Sequence, residues 1–221
     1  MGAAPMGKNR LPIDGACAPL AAETQESDMT VVDLRNAVAF AGGFIPGSFH
    51  LPDIECLALL RANGLLAGRR IYGVADEPEQ IARCGEIRAS GMELELGGWS
   101  SPKTMELRAR RGTLGSIEAL AADRLAVRVS AWKTLVIDTR GRAAFANARI
   151  PESLCIPLDS LAGELAGLPA ETALCTVCET GSRASFAASL IWNLGFRNVA
   201  FLRDGFAAYR EHRLPLAKSS S

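Results

Sequence analysis

The chain has 221 residues, 48% hydrophobic and 22% charged, with 24 basic and 24 acidic side chains and no formal net charge. That length allows one large domain or two ordinary ones. The zero balance attracts neither nucleic acid nor a membrane surface, and no apolar run approaches the roughly 18 residues a membrane span needs.

Residues 1–22 are rich in Ala, Pro and Gly. Met1 to Arg10 contains no apolar stretch of the kind a secretory signal requires. Met6 stands where an acylation motif opening at Gly2 would need Ser or Thr. Cys17, Cys56, Cys84, Cys155, Cys175 and Cys178 are irregularly spaced within apolar segments. That is thiol usage in a reducing compartment, not a disulfide framework, so a cytoplasmic location is expected.

From residue 31 the chain runs through a unit that it repeats 105 residues later. Val31, Asp33, Arg35, Ala39, Phe40, Ala41, Ile45, Pro46, Ser48 and Pro52 all recur, which makes ten identities across residues 31–52 without a gap. A period this long signals two domains and not a solenoid. In each copy an apolar strand ends in Asp-x-Arg, a short helix carries the Phe, and an Ile-Pro turn leads to a second short strand. A helix follows (54–62 and 158–166), then a strand (70–74 and 173–177), a loop and a helix. A last strand (94–96 and 199–201) precedes Gly98 and Trp99 in one copy, Gly205 and Phe206 in the other. Alternating strands and helices predict α/β architecture, with parallel sheets covered on both faces. Ser100 to Gly115, with Pro102, Gly112 and basic Arg108, Arg110 and Arg111, is expected to be a solvated linker and not a nucleic-acid patch.

Cys178, Glu179, Thr180, Gly181, Ser182 and Arg183 carry the chemistry. The apolar run 173–177 predicts a buried strand before them. The run 184–194 predicts a helix after them, with Phe186, Leu190, Ile191 and Leu194 on one face and Gly195 as its stop. A cysteine at such a junction is expected to meet converging N–H groups of residues 179–183, a helix N-terminus and the Arg183 charge, all favouring thiolate. The same cradle would hold an anion. Cys175 is read as buried wall, with a resolving thiol as the alternative. A single Cys-x-x-Cys pair makes zinc unexpected, and His50 and His212 have no evident role.

The loop resembles that of the rhodanese (sulfurtransferase) family: Cys, two residues, Gly, one residue, then Arg or Thr, here Cys178, Gly181 and Arg183. Asp-x-Arg and the Ile45-Pro46-Gly47 turn belong to the same resemblance, which covers nearly the whole chain. The second copy departs at the turn, with Ala148 and Arg149 for the usual Gly-His and Glu152 for Gly. The resemblance implies two rhodanese-like domains: 1–100, inactive for want of the catalytic Cys; a linker, 101–115; and 116–221, bearing the loop 178–183. It implies Cys178 as catalytic residue, Glu179, Thr180, Gly181, Ser182 and Arg183 as the substrate cradle, and Asp138 with Arg140 as structural support. The implied reaction moves sulfane sulfur from a persulfide or thiosulfate donor to a thiol or cyanide acceptor through a Cys178 persulfide. No metal or organic cofactor is implied.

Aligning the helix-ending Gly91 and Gly195 places Val74 opposite Cys178 and Glu79 opposite Arg183, so the first copy lacks a nucleophile. The acidic Glu179 tilts the expected donor toward a low-molecular-weight or protein persulfide. A monomer is expected, because the copies can pack on each other. The alternatives are a non-catalytic binding module and, disfavoured by the short loop, a Cys-dependent phosphatase or arsenate reductase.

Overall fold

The computed structural model describes residues 29–66, 70–77, 79–80, 83, 96–100, 114–131 and 133–218. The first half supplies β1 (Met29–Asp33), α1 (Ala37–Gly42), β2 (Phe49–His50), α2 (Ile54–Ala62), β3 (Arg70–Val74) and β4 (Leu96–Ser100). Its strands lie in the order β2-β1-β3-β4, and every pair is parallel. The second half supplies β5 (Glu118–Leu120), α3 (Ala122–Ser130), β6 (Leu135–Asp138), α4 (Arg142–Asn147) and β7 (Leu154–Cys155). A 3-10 turn (Leu158–Ser160) and α5 (Leu161–Glu164) come next. They are followed by β8 (Leu174–Val177), α6 (Ser182–Asn193), β9 (Val199–Leu202) and α7 (Gly205–Glu211). Here the order is β5-β9-β8-β6-β7, again all parallel. Apart from the added edge strand β5, the two sheets share one strand order, and the α/β class read from the sequence holds.

Local chemistry explains where the elements start. Asn36 and Asp53 cap α1 and α2, each side-chain oxygen accepting an N–H of the first turn at 2.9 Å. All residues of β8 and β9 are buried, which suits strands covered on both faces. Three expectations need correction. Gly98 and Trp99 lie inside β4 and not beyond it. The helix expected over 158–166 is a 3-10 turn with one short helix. Leu194, placed on the apolar face of the loop helix, is 47% exposed at its end. The pair β5 and α3 had no sequence signal, because the strand has three residues and Ala121 gives the helix no side-chain cap. Cys17, Cys84, Trp132, the arginine cluster and linker residues 101–113 lie outside the described residues. Leu114 and Gly115 are described, and Gly115 forms an antiparallel bridge with Phe44.

The 105-residue repeat persists to single atoms. Arg35 binds both oxygens of Asp33 and donates to the Gly43 carbonyl at 2.7 Å. Arg140 does the same with Asp138 and the Ala148 carbonyl, also at 2.7 Å. Both pairs are buried. The turn after each also matches, with Gly47 at φ 87° and Glu152 at φ 59°.

Helix α6 joins the halves. Ala184, Ala187, Ala188 and Ile191 pack in a core with Ile137, Leu174 and Phe201 of their own sheet. Phe186 instead enters the first half's core, among Val32, Leu34, Leu57 and Ile71. Ser185, Ser189 and Asn193, four residues apart on one face, meet the first half at residues 48–50. Seven of the helix's twelve residues are buried, as befits a helix enclosed on more than one side. Among the described residues no helix is long and apolar enough to cross a membrane.

Candidate active site

Strand β8 ends at Val177, and Cys178 opens the loop into α6. Two close approaches shape that loop. Gly181 has φ +91°, and a Cβ there would lie 1.9 Å from the Arg203 carbonyl oxygen. Gly205 has φ +72°, and a Cβ there would lie 2.3 Å from the Glu179 carbonyl oxygen. Only glycine fits either place. The second turn thus presses on the first, and α7 locks it: Phe206 N–H donates to the Cys178 carbonyl at 2.8 Å and Ala207 N–H to that of Glu179 at 3.1 Å. In a trans peptide the N–H opposes the C=O. The N–H groups of Glu179 and Thr180 therefore face away from α7.

Gly181 N–H donates to the Cys178 sulfur at 3.1 Å. Among the described residues this is the sulfur's hydrogen bond, so the expected ring of amides contributes one donor and not several. Cys178 is 1% exposed and belongs to the core shared by Ala184, Ala187 and Phe44. Arg183 is exposed, and among the described residues no hydrogen bond links it to Cys178. Its charge is felt instead at Cys56 on α2. The chain direction explains this: Arg183 is already on the helix and projects outward from its first turn.

Asp138 and Arg140 meet the loop from below. Besides its carboxylate partner, Arg140 reaches Glu179 at 3.3 Å and stacks its guanidinium 3.5 Å above the Phe206 ring. One side chain thereby ties β6, the end of α4, the loop and α7 together. Glu179 is half engaged by this contact and remains 44% exposed. Cys175 lies in a different core cluster from Cys178, with Val136 and Ala200. Burial pushes the Cys175 thiol well up, which keeps it protonated and unsuited to exchange.

The first half builds the opposite wall. A cleft of ≈ 260 Å³ is lined by Arg35, Asn36, His50 and Arg83 from that half and by Thr180, Gly181, Ser182 and Arg203 from the other. Arg35 is paired with Asp33 and Arg203 with Asp204. Arg83 donates to the Pro52 carbonyl and, among the described residues, has no carboxylate partner. His50 is 1% exposed. Its Nε2 lies 2.9 Å from the Arg35 carbonyl and its Nδ1 2.7 Å from the Ser185 hydroxyl. No sequence pattern singled out His50, Arg83 or Arg203, because they meet the loop only through tertiary packing.

The strand register also corrects the alignment of the copies. Asp33 pairs with Val74 and Asp138 with Val177. Ala75, not Val74, therefore stands opposite Cys178, and Gln80, not Glu79, opposite Arg183. Alignment on helix-ending glycines slips by one residue. In the first half the Gln80 side-chain oxygen accepts the N–H groups of Asp76 and Glu77 at 2.9 and 3.3 Å. That loop binds its own chain where the other could bind an anion. Among the described residues no group of three or more His, Cys, Asp or Glu could hold a metal ion.

Residues 121–212 match the family model for the rhodanese-like domain. The second half of the chain thus resembles a rhodanese-like domain. A sulfurtransferase of Allochromatium vinosum is 28% identical over 82 residues, covering 37% of this chain and 77% of that protein. Among solved structures, a rhodanese-related protein from Thermoplasma volcanium is 21% identical with a TM-score of 0.42, covering 45% of this chain and 97% of its own. A thiosulfate sulfurtransferase from Pseudomonas aeruginosa is also 21% identical with a TM-score of 0.42, covering 87% of this chain and 38% of its own. The matched residues run from α3 to α7, and the loop 178–183 lies inside the match.

Proposed function

We propose that the protein is a sulfurtransferase working through a persulfide on Cys178. The observation that carries this reading is the Gly181 N–H held 3.1 Å from the Cys178 sulfur at a strand-to-helix turn within the residues that match the rhodanese-like domain. In the first step the thiolate attacks the outer sulfur of the donor. The donor's S–S bond breaks, its electron pair leaves with the remaining thiolate or sulfite, and Cys178 carries one added sulfur. In the second step an acceptor thiolate or cyanide attacks that sulfur and Cys178 leaves as thiolate, giving a new persulfide or thiocyanate. No external oxidant or reductant is needed.

The cleft supports an anionic donor. Arg140 holds Glu179, Arg83 brings the cleft a cation without a carboxylate partner among the described residues, and Gly181, the α6 cap, brings no side chain to compete for first-turn N–H groups. Arg83→Ala is expected to raise KM for a persulfide or thiosulfate with a smaller change in kcat, because Arg83 lies off the reacting sulfur. In this reading the chain is a tandem of two rhodanese-like units acting as a cytoplasmic monomer, and the first is inert because Ala75 and Gln80 replace the nucleophile and its arginine.

Intact-mass analysis after exposure to a panel of persulfides and thiosulfate should show the gain of one sulfur, and Cys178→Ser should lose both adduct and turnover. Turnover surviving that substitution would sink the assignment. The 1% exposure of Cys178 favours one rival, a binding module that uses the cleft without chemistry. A wild-type Cys178 that gains no sulfur from any donor and resists alkylation would establish it.

A further inference from the structure

His50 sits in the first half, yet its ring ends on the first turn of the helix that follows the reactive loop. Its hydrogen bonds are over-subscribed in an informative way. Nε2 faces the Arg35 carbonyl at 2.9 Å. A carbonyl only accepts, so Nε2 carries a proton. In the neutral ring Nδ1 is then bare and needs a donor, and the Ser185 hydroxyl lies 2.7 Å away. The same hydroxyl lies 2.7 Å from the Ser182 carbonyl. It has one proton and two acceptors. With neutral His50 the proton goes to Nδ1. With the imidazolium, Nδ1–H donates to the hydroxyl oxygen, and the hydroxyl turns its proton to Ser182.

The contact is part of a seam. His50 N–H donates to the Ser189 hydroxyl at 3.1 Å, and Asn193 donates to the Ser48 carbonyl at 3.0 Å. Edge strand β2 is thus fastened along one face of α6, with His50 at the end nearest Gly181 and the Cys178 sulfur. Ser182 follows the glycine whose N–H touches that sulfur. A change in what the Ser182 carbonyl binds is felt within the loop, one residue from Gly181.

We propose that His50 is a positioning residue through which the first half sets the geometry of the reactive loop, its neutral ring taking the Ser185 hydroxyl away from Ser182 and its protonated ring giving it back. Burial is the first influence on the ring and favours the neutral form. The charged groups facing it are Asp33 from β1, which favours the cation, and Arg35 and Arg83, which oppose it. From α1 it meets the Phe40 ring at 4.9 Å, and from α6 the uncharged Ser185 and Ser189. The inference rests on Cys178 being the reacting group, and its test does not need sulfur transfer to succeed.

The test is the site-resolved rate of iodoacetamide alkylation at Cys178 between pH 5 and 9, read by peptide mass spectrometry, beside an NMR titration of His50. In the wild type the rate should follow thiol ionisation and fall about fivefold more at the midpoint of His50 itself, the value of one hydrogen bond of about 1 kcal/mol. His50→Asn keeps an acceptor near Nδ1 without a titrating ring. It should keep the high-pH rate and lose that extra step. Ser185→Ala leaves the Ser182 carbonyl without that hydroxyl at every pH, so it should likewise keep the high-pH rate and lose the step. The ¹⁵N shifts of wild-type His50 at pH 8 should show the Nε2–H tautomer. An Nδ1–H tautomer, a Ser185→Ala profile equal to wild type, or a His50 titration without a matching step would each overturn the proposal. Should His50→Asn fail to fold, Ser185→Ala and the wild-type spectra decide. Persulfide formation measured in parallel keeps the two readings apart: its absence from the wild type removes the sulfurtransferase assignment and leaves the alkylation result standing.

Discussion

Gly181 and Glu152 both hold left-handed backbone, at φ 91° and 59°, with opposite consequences. A methyl at 181 would meet the Arg203 carbonyl at 1.9 Å, backbone that cannot swing aside. Gly181→Ala should therefore cost well over the about 1–2 kcal/mol of the dihedral alone and abolish Cys178 modification, as measured by urea unfolding and mass spectrometry. Glu152 occupies the place of Gly47 in the other copy, and its backbone pays the left-handed penalty at an open turn. Glu152→Gly should stabilise by up to about 1 kcal/mol after the extra entropy of an unfolded glycine. That corresponds to a rise in Tm of about 2–4 °C for a chain of this size. The sequence shows the Gly-to-Glu exchange, but its backbone angle is visible only in the fold.

At the scale of elements, α6 carries both the site and the joint. Its sequence signals, an apolar face and a closing glycine, were legible because they depend on residues a few positions apart. The destination of each face was not. Phe186 is fully buried among first-half residues, and Phe186→Ala should cost about 3–5 kcal/mol, lowering the urea midpoint of the whole chain. The Asp138–Arg140 pair is likewise an element-level tie, since Arg140 holds β6, the loop and α7 at once. Asp138→Ala leaves that guanidinium buried without its carboxylate and should destabilise by about 3–5 kcal/mol. A loss below 1 kcal/mol on denaturant unfolding would show that Glu179 and Phe206 hold Arg140 unaided.

At the scale of the molecule, the two halves share cores and a polar seam, so the stability of one reports on the other. His50 links this to pH. Burial lowers its pKa in the folded chain, while the unfolded chain keeps a value of about 6.5. As pH falls through about 6.5 the unfolded state takes up a proton that the folded state refuses, so stability declines with falling pH and is unaffected by this group above it. Urea midpoints at pH 7.5 and 5.5 should therefore separate for the wild type and draw closer in His50→Asn. Equal separation in both would place the pH effect elsewhere.

By itself the sequence determined what short-range pattern can encode: the parallel α/β units, their 105-residue period and the cysteine loop with its turn-forming glycine. Each follows from residues whose spacing matches a strand, a helix turn or a backbone that only glycine tolerates. The tertiary structure alone decided that Arg83, Arg203 and His50 face the loop, that Arg183 turns outward, that a single amide reaches the Cys178 sulfur and that Ala75 is its counterpart. Those outcomes depend on the register between strands and on which face of α6 meets which half. Register and docking are set by the burial of many side chains at once, and no local stretch of chain contains them.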